Sequence, residues 1–335
     1  MNERLKHIHH VTKRDIELKS KANKIIKINA DMLSAYIDMC KASLKEHLDV
    51  NYLEQIAYNM AQARKLLALA EGNELHEFWE HTEAGRLCGR GHSIQRMSPP
   101  VIEAALGYCH RYEFRASPYA LLAGIASELN PALSVSSIKN YIIRGDAVRA
   151  KIATSTGYQE WHIKSILTSS VFCPDIHHKL SDCKEFQWIQ EELCGCASTI
   201  LSVKDELVGL SAVKYNGKKD SQFLEWLYQC METRLMDRTC ELLAELGGTT
   251  PSLIVHPRIY LEHKLSPDAM QTLVILLQKE FKHISLEYYE VRPIVSNQKH
   301  EERYSRAEHE AAMHHQRIEQ AEKEAIGYQR IELTK

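Results

Sequence analysis

Helix breakers are scarce in this sequence. Fourteen glycines and nine prolines punctuate 335 residues, too few for an architecture of short strands and turns, so long helices are expected. Long apolar runs are missing too: no stretch reaches the length needed to cross a bilayer, and no membrane span is expected. The segment Met1 to Lys27 is studded with Lys, Arg and His and has no apolar core like that of a secretory signal, which points to a cytoplasmic location. The nine cysteines, an odd number, show no paired framework and read as reduced thiols that mostly pack. Excess charge of one sign is also absent. Lys plus Arg number 42 against Asp plus Glu 44, a formal net charge of −2. The general basic field that drives strong nucleic-acid binding is therefore missing, while a local basic patch stays open.

What is present is enough for a core: 44% hydrophobic and 26% charged residues are ordinary globular values and argue against wholesale disorder. Between residues 14 and 71 apolar side chains recur at three-and-four spacing through Ile25, Ile26, Ile28, Met32, Leu33 and Tyr36, then Leu53, Ile56 and Met60, the mark of amphipathic helices. A short helix over Glu74 to Glu83 follows, then a loop over 85–100 with three glycines and Pro99-Pro100. Ser98 and the two prolines open a helix over Val101 to Tyr112. Ser117-Pro118 starts another, ending near Asn130, and Ser134 to Ile143 follows as helical or mixed. Arg144-Gly145-Asp146 reads as a turn or a helix start. Further helices are expected over Glu160 to Ser169, Lys184 to Leu210 and Asp220 to Leu246, with a turn at Asn216-Gly217. The run Ser252 to Val255, a helix from Ser266 to about Lys282 and the strand-forming Ile284 to Val291 suggest strand–helix–strand. The expected fold is mainly α: a helical bundle-like body, a small C-terminal α/β element and a charged helical tail. The segments are 1–84 as N-terminal helices, 85–248 as a central helical domain, 249–297 as the α/β element and 298–335 as the tail.

Chemistry concentrates at Tyr108 to Ala126. Arg111 and Arg115 are four apart, so on a helix they share a face and can grip an anion together; the plainer reading is a surface pair ahead of a packed core helix in which Ala123 and Gly124 allow close backbone approach. Arg86 and Arg90, in the loop with His92, extend the same potential anion-binding patch. That loop lacks the Lys-Ser/Thr ending of a phosphate loop, and no strand is expected before it.

The stretch resembles the glutamylating lantibiotic dehydratases, whose pattern is Tyr-x-x-Arg-x-x-x-Arg-x-Thr-Pro-Phe-Gly-Leu-Phe-Ala-Gly-Val. Tyr108, Arg111, Arg115, Ser117, Pro118, Tyr119, Leu121, Ala123, Gly124 and Ile125 fall in register, and Met97-Ser98-Pro99 with Ile102 to Leu106 is similar to that family's approach to the motif. Ala120 replaces the family's glycine and Leu122 its second aromatic. The resemblance covers residues 97–126 and implies that Arg111 and Arg115 contact glutamyl-tRNA, which donates glutamate to a Ser or Thr of a precursor peptide. Because the family's enzymes are longer, it implies a fragment, a split subunit or a degenerate relative.

Other clusters are weaker. Cys173, His177, Cys194 and Cys196 are of the residue types zinc prefers, but the usual two-residue gap between paired cysteines is missing, and buried thiols with surface histidines account for them. No metal and no cofactor is expected. His76-Glu77-Phe78-Trp79-Glu80-His81 misses the zincin spacing by one residue and reads as a solvated helix face.

Three functions remain. A helical binding or scaffold protein, acting through a protein partner or a second copy of itself, asks for no residue the sequence lacks and stands first. A tRNA-dependent peptide-modifying protein follows from the resemblance. A DNA-binding regulator would use residues 117–149 as a helix-turn-helix variant, with Ser134 to Ile143 as the recognition helix. Whether the chain is an enzyme is left open.

Overall fold

The computed structural model describes residues 22–46, 50–82, 84, 86–107, 109–173, 180, 182–210, 215, 217 and 219–290. The fold is mainly helical, at 64% helix among those residues, and none of their helices is long and apolar enough to cross a membrane. Two small antiparallel sheets complete it.

The first departure from the helical expectation is at the N-terminal side. Ala22–Lys27 is a strand, β1, ahead of helices α1 (Ala30–Glu46) and α2 (Val50–Leu69). Ile25 is 59% exposed while Ile26 is 4% exposed, the alternation of a strand with one buried face. Its antiparallel partner β2 (Glu74–His81) replaces the expected helix over Glu74 to Glu83. Leu75, Glu77 and Trp79 point inward and His76 and Phe78 outward, so the Glu and His residues four apart do not form a helical ladder. The Glu77 carboxylate instead accepts hydrogen bonds from Trp79 Nε1 (2.8 Å), Ser93 Oγ (2.6 Å) and Ile94 N (2.6 Å), which ties Ser93 and Ile94 of the following loop to the inward side of β2. Within that loop a short strand, β3 (Leu87–Gly89), pairs with β2, and a single 3-10 turn spans Ile94–Arg96.

Helix α3 (Pro99–Leu106) starts at the two prolines as expected but stops early. Gly107 terminates it at φ +67°, a conformation glycine adopts without steric cost. The chain then forms β4 (His110–Phe114) rather than continuing as helix to Tyr112, and Tyr112 and Phe114 alternate into the core. Helices α4 (Ser117–Leu129), α5 (Ser136–Thr156) and α6 (Glu160–Ser170) follow. The expected helix over Lys184 to Leu210 is broken at Ser202-Val203 into α7 (Lys184–Leu201) and α8 (Lys204–Leu210). Helix α9 (Asp220–Gly247) ends against Gly248 at φ +62°.

The remaining elements are β5 (Leu253–Val255), β6 (Arg258–Leu261), α10 (Pro267–Glu280) and β7 (Leu286–Glu290). They do not make a plain strand–helix–strand unit. Two strands precede the helix, and the four-stranded order β5-β6-β4-β7 places β4, from far upstream, between β6 and β7. The two faces of this sheet divide the interior. Tyr112, Phe114, Ile259 and Leu261 join the core built with α4, α5, α6, α7, α9 and α10. Leu253 and Tyr260 join a second core with α1, α2, α3 and the first sheet. Gly124 of α4 lies so close to the turn after α10 that an added Cβ would stand 3.0 Å from the Lys282 carbonyl oxygen, a close approach that the absence of a side chain allows.

Candidate functional site

Every guanidinium of the expected basic patch faces a carboxylate. Arg90 pairs with Glu80 and Arg86 with Glu232. Arg111 bonds Glu103 at 2.6 Å and lies 4.4 Å over the Tyr289 ring. Arg115 makes a two-pronged contact to Glu287 at 2.7 and 2.9 Å, the strong fork geometry of Arg with carboxylate. That hydrogen bond, ahead of every other influence, raises its pKa. Arg111 and Arg115 are not on a helix face. Arg111 lies in β4 and Arg115 just beyond it, where a spacing of two, not four, sets the common face. Glu113 between them binds Arg258 at 3.0 Å, so along β4 this face carries a row of alternating charges beside the buried Tyr260.

Arg115 has a second role. Its Nη1 donates to the Ile143 carbonyl at 2.8 Å. The next residue, Arg144, has φ −123° and ψ 35°, non-helical values inside α5. A carbonyl drawn out of the helical ladder beside Gly145 is a sufficient cause of a kink, and it falls at the Arg144-Gly145-Asp146 step, expected to be a turn or a helix start.

Arg86 reaches into a buried polar junction. Glu232, in the middle of α9, is 0% exposed. Besides Arg86 it receives the Tyr228 hydroxyl, with the Ser117 hydroxyl at 3.3 Å and His256 Nδ1 at 3.5 Å. Burial alone would push this carboxyl up; His256, Arg86 and Tyr228 more than offset it, and its pKa lies below the ordinary value. The Tyr228 phenol is pushed up by burial and then by the Glu232 charge, so it stays a donor. Ala116, left-handed at φ 42°, turns the chain into α4 where Ser117 meets this group. Asp237, one and a half turns along α9, has its carboxyl raised, chiefly by burial. The junction joins the loop after β2, the start of α4, α9 and the β5–β6 turn, and within it Arg86 Nε and His256 Nδ1 are buried without a hydrogen-bond partner among the described residues.

The cysteines stay apart from such chemistry. Cys173 and Cys194 are half-buried and Cys196 is buried, and none of the three is in a disulfide. Burial, with a smaller push from Glu192, raises the Cys196 thiol to about 12. His177, Tyr108, Asn216 and the tail 298–335 lie outside the described residues. Among the described residues no group of three or more His, Cys, Asp or Glu side chains is placed to hold a metal.

An open feature of the surface lies between α5 and α7. Two adjoining pockets, of about 550 and 380 Å³, share Ser136, Ser137 and Trp188 in their walls. Trp188 is 51% exposed, and Ile143 at the kink is also exposed. The smaller pocket carries Arg144, Lys151 and Glu185, the last two ion-paired. At the other end Glu192 crosses from α7 to the start of α5, accepting from Ile138 N (2.9 Å) and from the Ser134 and Ser136 hydroxyls (both 3.0 Å). Burial would raise its carboxyl, but these bonds and one from the Ser137 backbone hold it below the ordinary value. A partner helix thus supplies the cap that α5's own sequence does not, since Val135 is its N-cap residue. The sequence signal for this groove is an indole among Glu185, Glu191 and Glu192 on an otherwise amphipathic helix; without α5 beside it, that signal is an ordinary solvated face.

Compared with known family models and with curated proteins, the chain matches none.

Proposed function

We propose that this is a cytoplasmic binding protein that acts through protein–protein contacts, and that its contact surface is the groove between α5 and α7. The observation that carries this reading is Trp188, a half-exposed indole standing between two open pockets. Large aromatics are the residues that most often dominate interface energy when a partner covers them, and a groove between two helices suits a partner's helix or extended segment. The helices on this side of the second sheet act as a bundle-like body that carries the groove, and the C-terminal strands and α10 brace it through Arg115 and the kink of α5. The partner is another protein or a second copy of this chain.

The tRNA-dependent reading stands second, carried by the resemblance over 97–126. It requires Arg111 and Arg115 to exchange Glu103 and Glu287 for phosphates. A DNA-binding role for residues 117–149 requires the start of α5 to approach phosphate, where the Glu192 carboxylate already sits.

The test is a photo-crosslinking amino acid at Ala147, in the groove wall, compared with one at the exposed Tyr58 on α2. The expected result is a crosslinked protein at Ala147 only, lost on Trp188→Ala, which then binds the full chain when purified. Crosslinking that ignores Trp188, or saturable tRNA or duplex DNA binding lost steeply with salt, would overturn the proposal.

A further inference from the structure

The larger pocket of the groove has a chemical bias. Its walls hold the Trp188 indole, Glu191, Glu192, three serines and Leu133, and no basic side chain. Glu191 and Glu192 follow Trp188 by three and four residues, so all three lie on one face of α7. Glu192 is spent on the start of α5, where its charge answers the positive end of the helix dipole, roughly half a unit charge. Glu191 is exposed and makes no ion pair or hydrogen bond among the described residues. The pocket is thus net negative beside an accessible indole face.

We propose that this pocket takes a basic side chain, arginine or lysine, from the protein partner; the inference rests on the groove being the contact surface. A cation over tryptophan gains from the ring quadrupole, and tryptophan is the best of the aromatic faces for it. Glu191 supplies the counter-charge and the serine oxygens can accept the remaining N–H groups. A free helix start would favour an anionic partner, but Glu192 fills that position here. An apolar side chain would leave Glu191 covered and unpaired, at a desolvation cost.

The experiment titrates the full chain with a short alanine-based peptide carrying arginines and with twins of equal length carrying lysine or glutamate, by calorimetry. The arginine peptide is expected to saturate, the lysine twin to bind more weakly and the glutamate twin not to bind. Glu191→Gln should weaken the arginine peptide about fivefold and Trp188→Ala about tenfold, with Trp188→Phe recovering part of the loss. Both side chains are exposed, so circular dichroism of the variants should match the parent. Equal or tighter binding of the glutamate twin, no effect of Glu191→Gln, or no saturation with any cationic peptide overturns the inference. If the crosslinked partner depends on Trp188 but not on Glu191, the groove remains the contact surface and only the basic side chain falls. If capture ignores Trp188, both fall.

Discussion

Glu232 carries its charge with no exposed surface, so its stability depends on its neighbours rather than on water. Removing one partner of a buried pair leaves the other uncompensated, which typically costs about 3–5 kcal/mol. Arg86→Met and Glu232→Leu should each lose that much in urea unfolding, and the double variant should regain most of it. The junction around this pair is thus a positional constraint on four segments more than a net source of stability. A second residue sets a pH limit. Burial first, and then Lys139 and Lys282, lower the His283 pKa from 6.5 to about 4. The folded state therefore favours the neutral ring, and its contribution is complete above pH 6.5 and lost as pH falls from 6.5 toward 4. Glu232, also lowered, contributes fully above the ordinary value of 4.5 and loses that contribution as pH falls below it. Urea midpoints should decline in both windows. His283→Asn should flatten the upper one, since Asn tolerates the positive φ of 67° at this position. Arg86 was identifiable from the sequence as a chemically suggestive residue. Its partner is not, because Glu232 is 146 residues away and only the tertiary fold brings the two together.

At the scale of elements, local signals located what they govern. Ser117-Pro118 opens α4, Gly248 closes α9, and the Arg144-Gly145 step marks the kink in α5. Strands β5 and β7 fall in the runs Ser252 to Val255 and Ile284 to Val291, whereas β1, β2 and β4 stand where helix is expected, for a physical reason. β1, β2 and β4 are each stabilised by pairing with residues distant in sequence, and in β1 the apolar Ile25, Ile26 and Ile28 also satisfy the three-and-four spacing of a helix. Once β4 is a strand, Arg111 and Arg115 become parts of a charged sheet face rather than a helical grip. The start of α5 depends likewise on another element. Glu192→Ala should cost about 1–2 kcal/mol, the usual value of a lost cap or buried hydrogen bond, and hydrogen exchange should quicken in the first turn of α5 before anywhere else.

The molecule as a whole is organised by the β5-β6-β4-β7 sheet, which separates two cores while the Arg86–Glu232 junction ties them together. Its net charge is near zero and its candidate arginines are occupied, so Arg111→Ala/Arg115→Ala should lower thermal stability and kink-dependent order in α5 while leaving no salt-sensitive tRNA binding to lose; a salt series on parent and variant checks this. What the sequence could not show is the groove, because it exists only where α5, kinked by Arg115 and capped by Glu192, lies beside Trp188. The most direct test of this account is hydrogen–deuterium exchange of the full chain with and without the partner captured at Ala147. Protection confined to residues 136–151 and 184–192, abolished by Trp188→Ala, is the predicted result. Protection on the outer face of β1 and β2, or along β4 and β7, with none in the groove would contradict it.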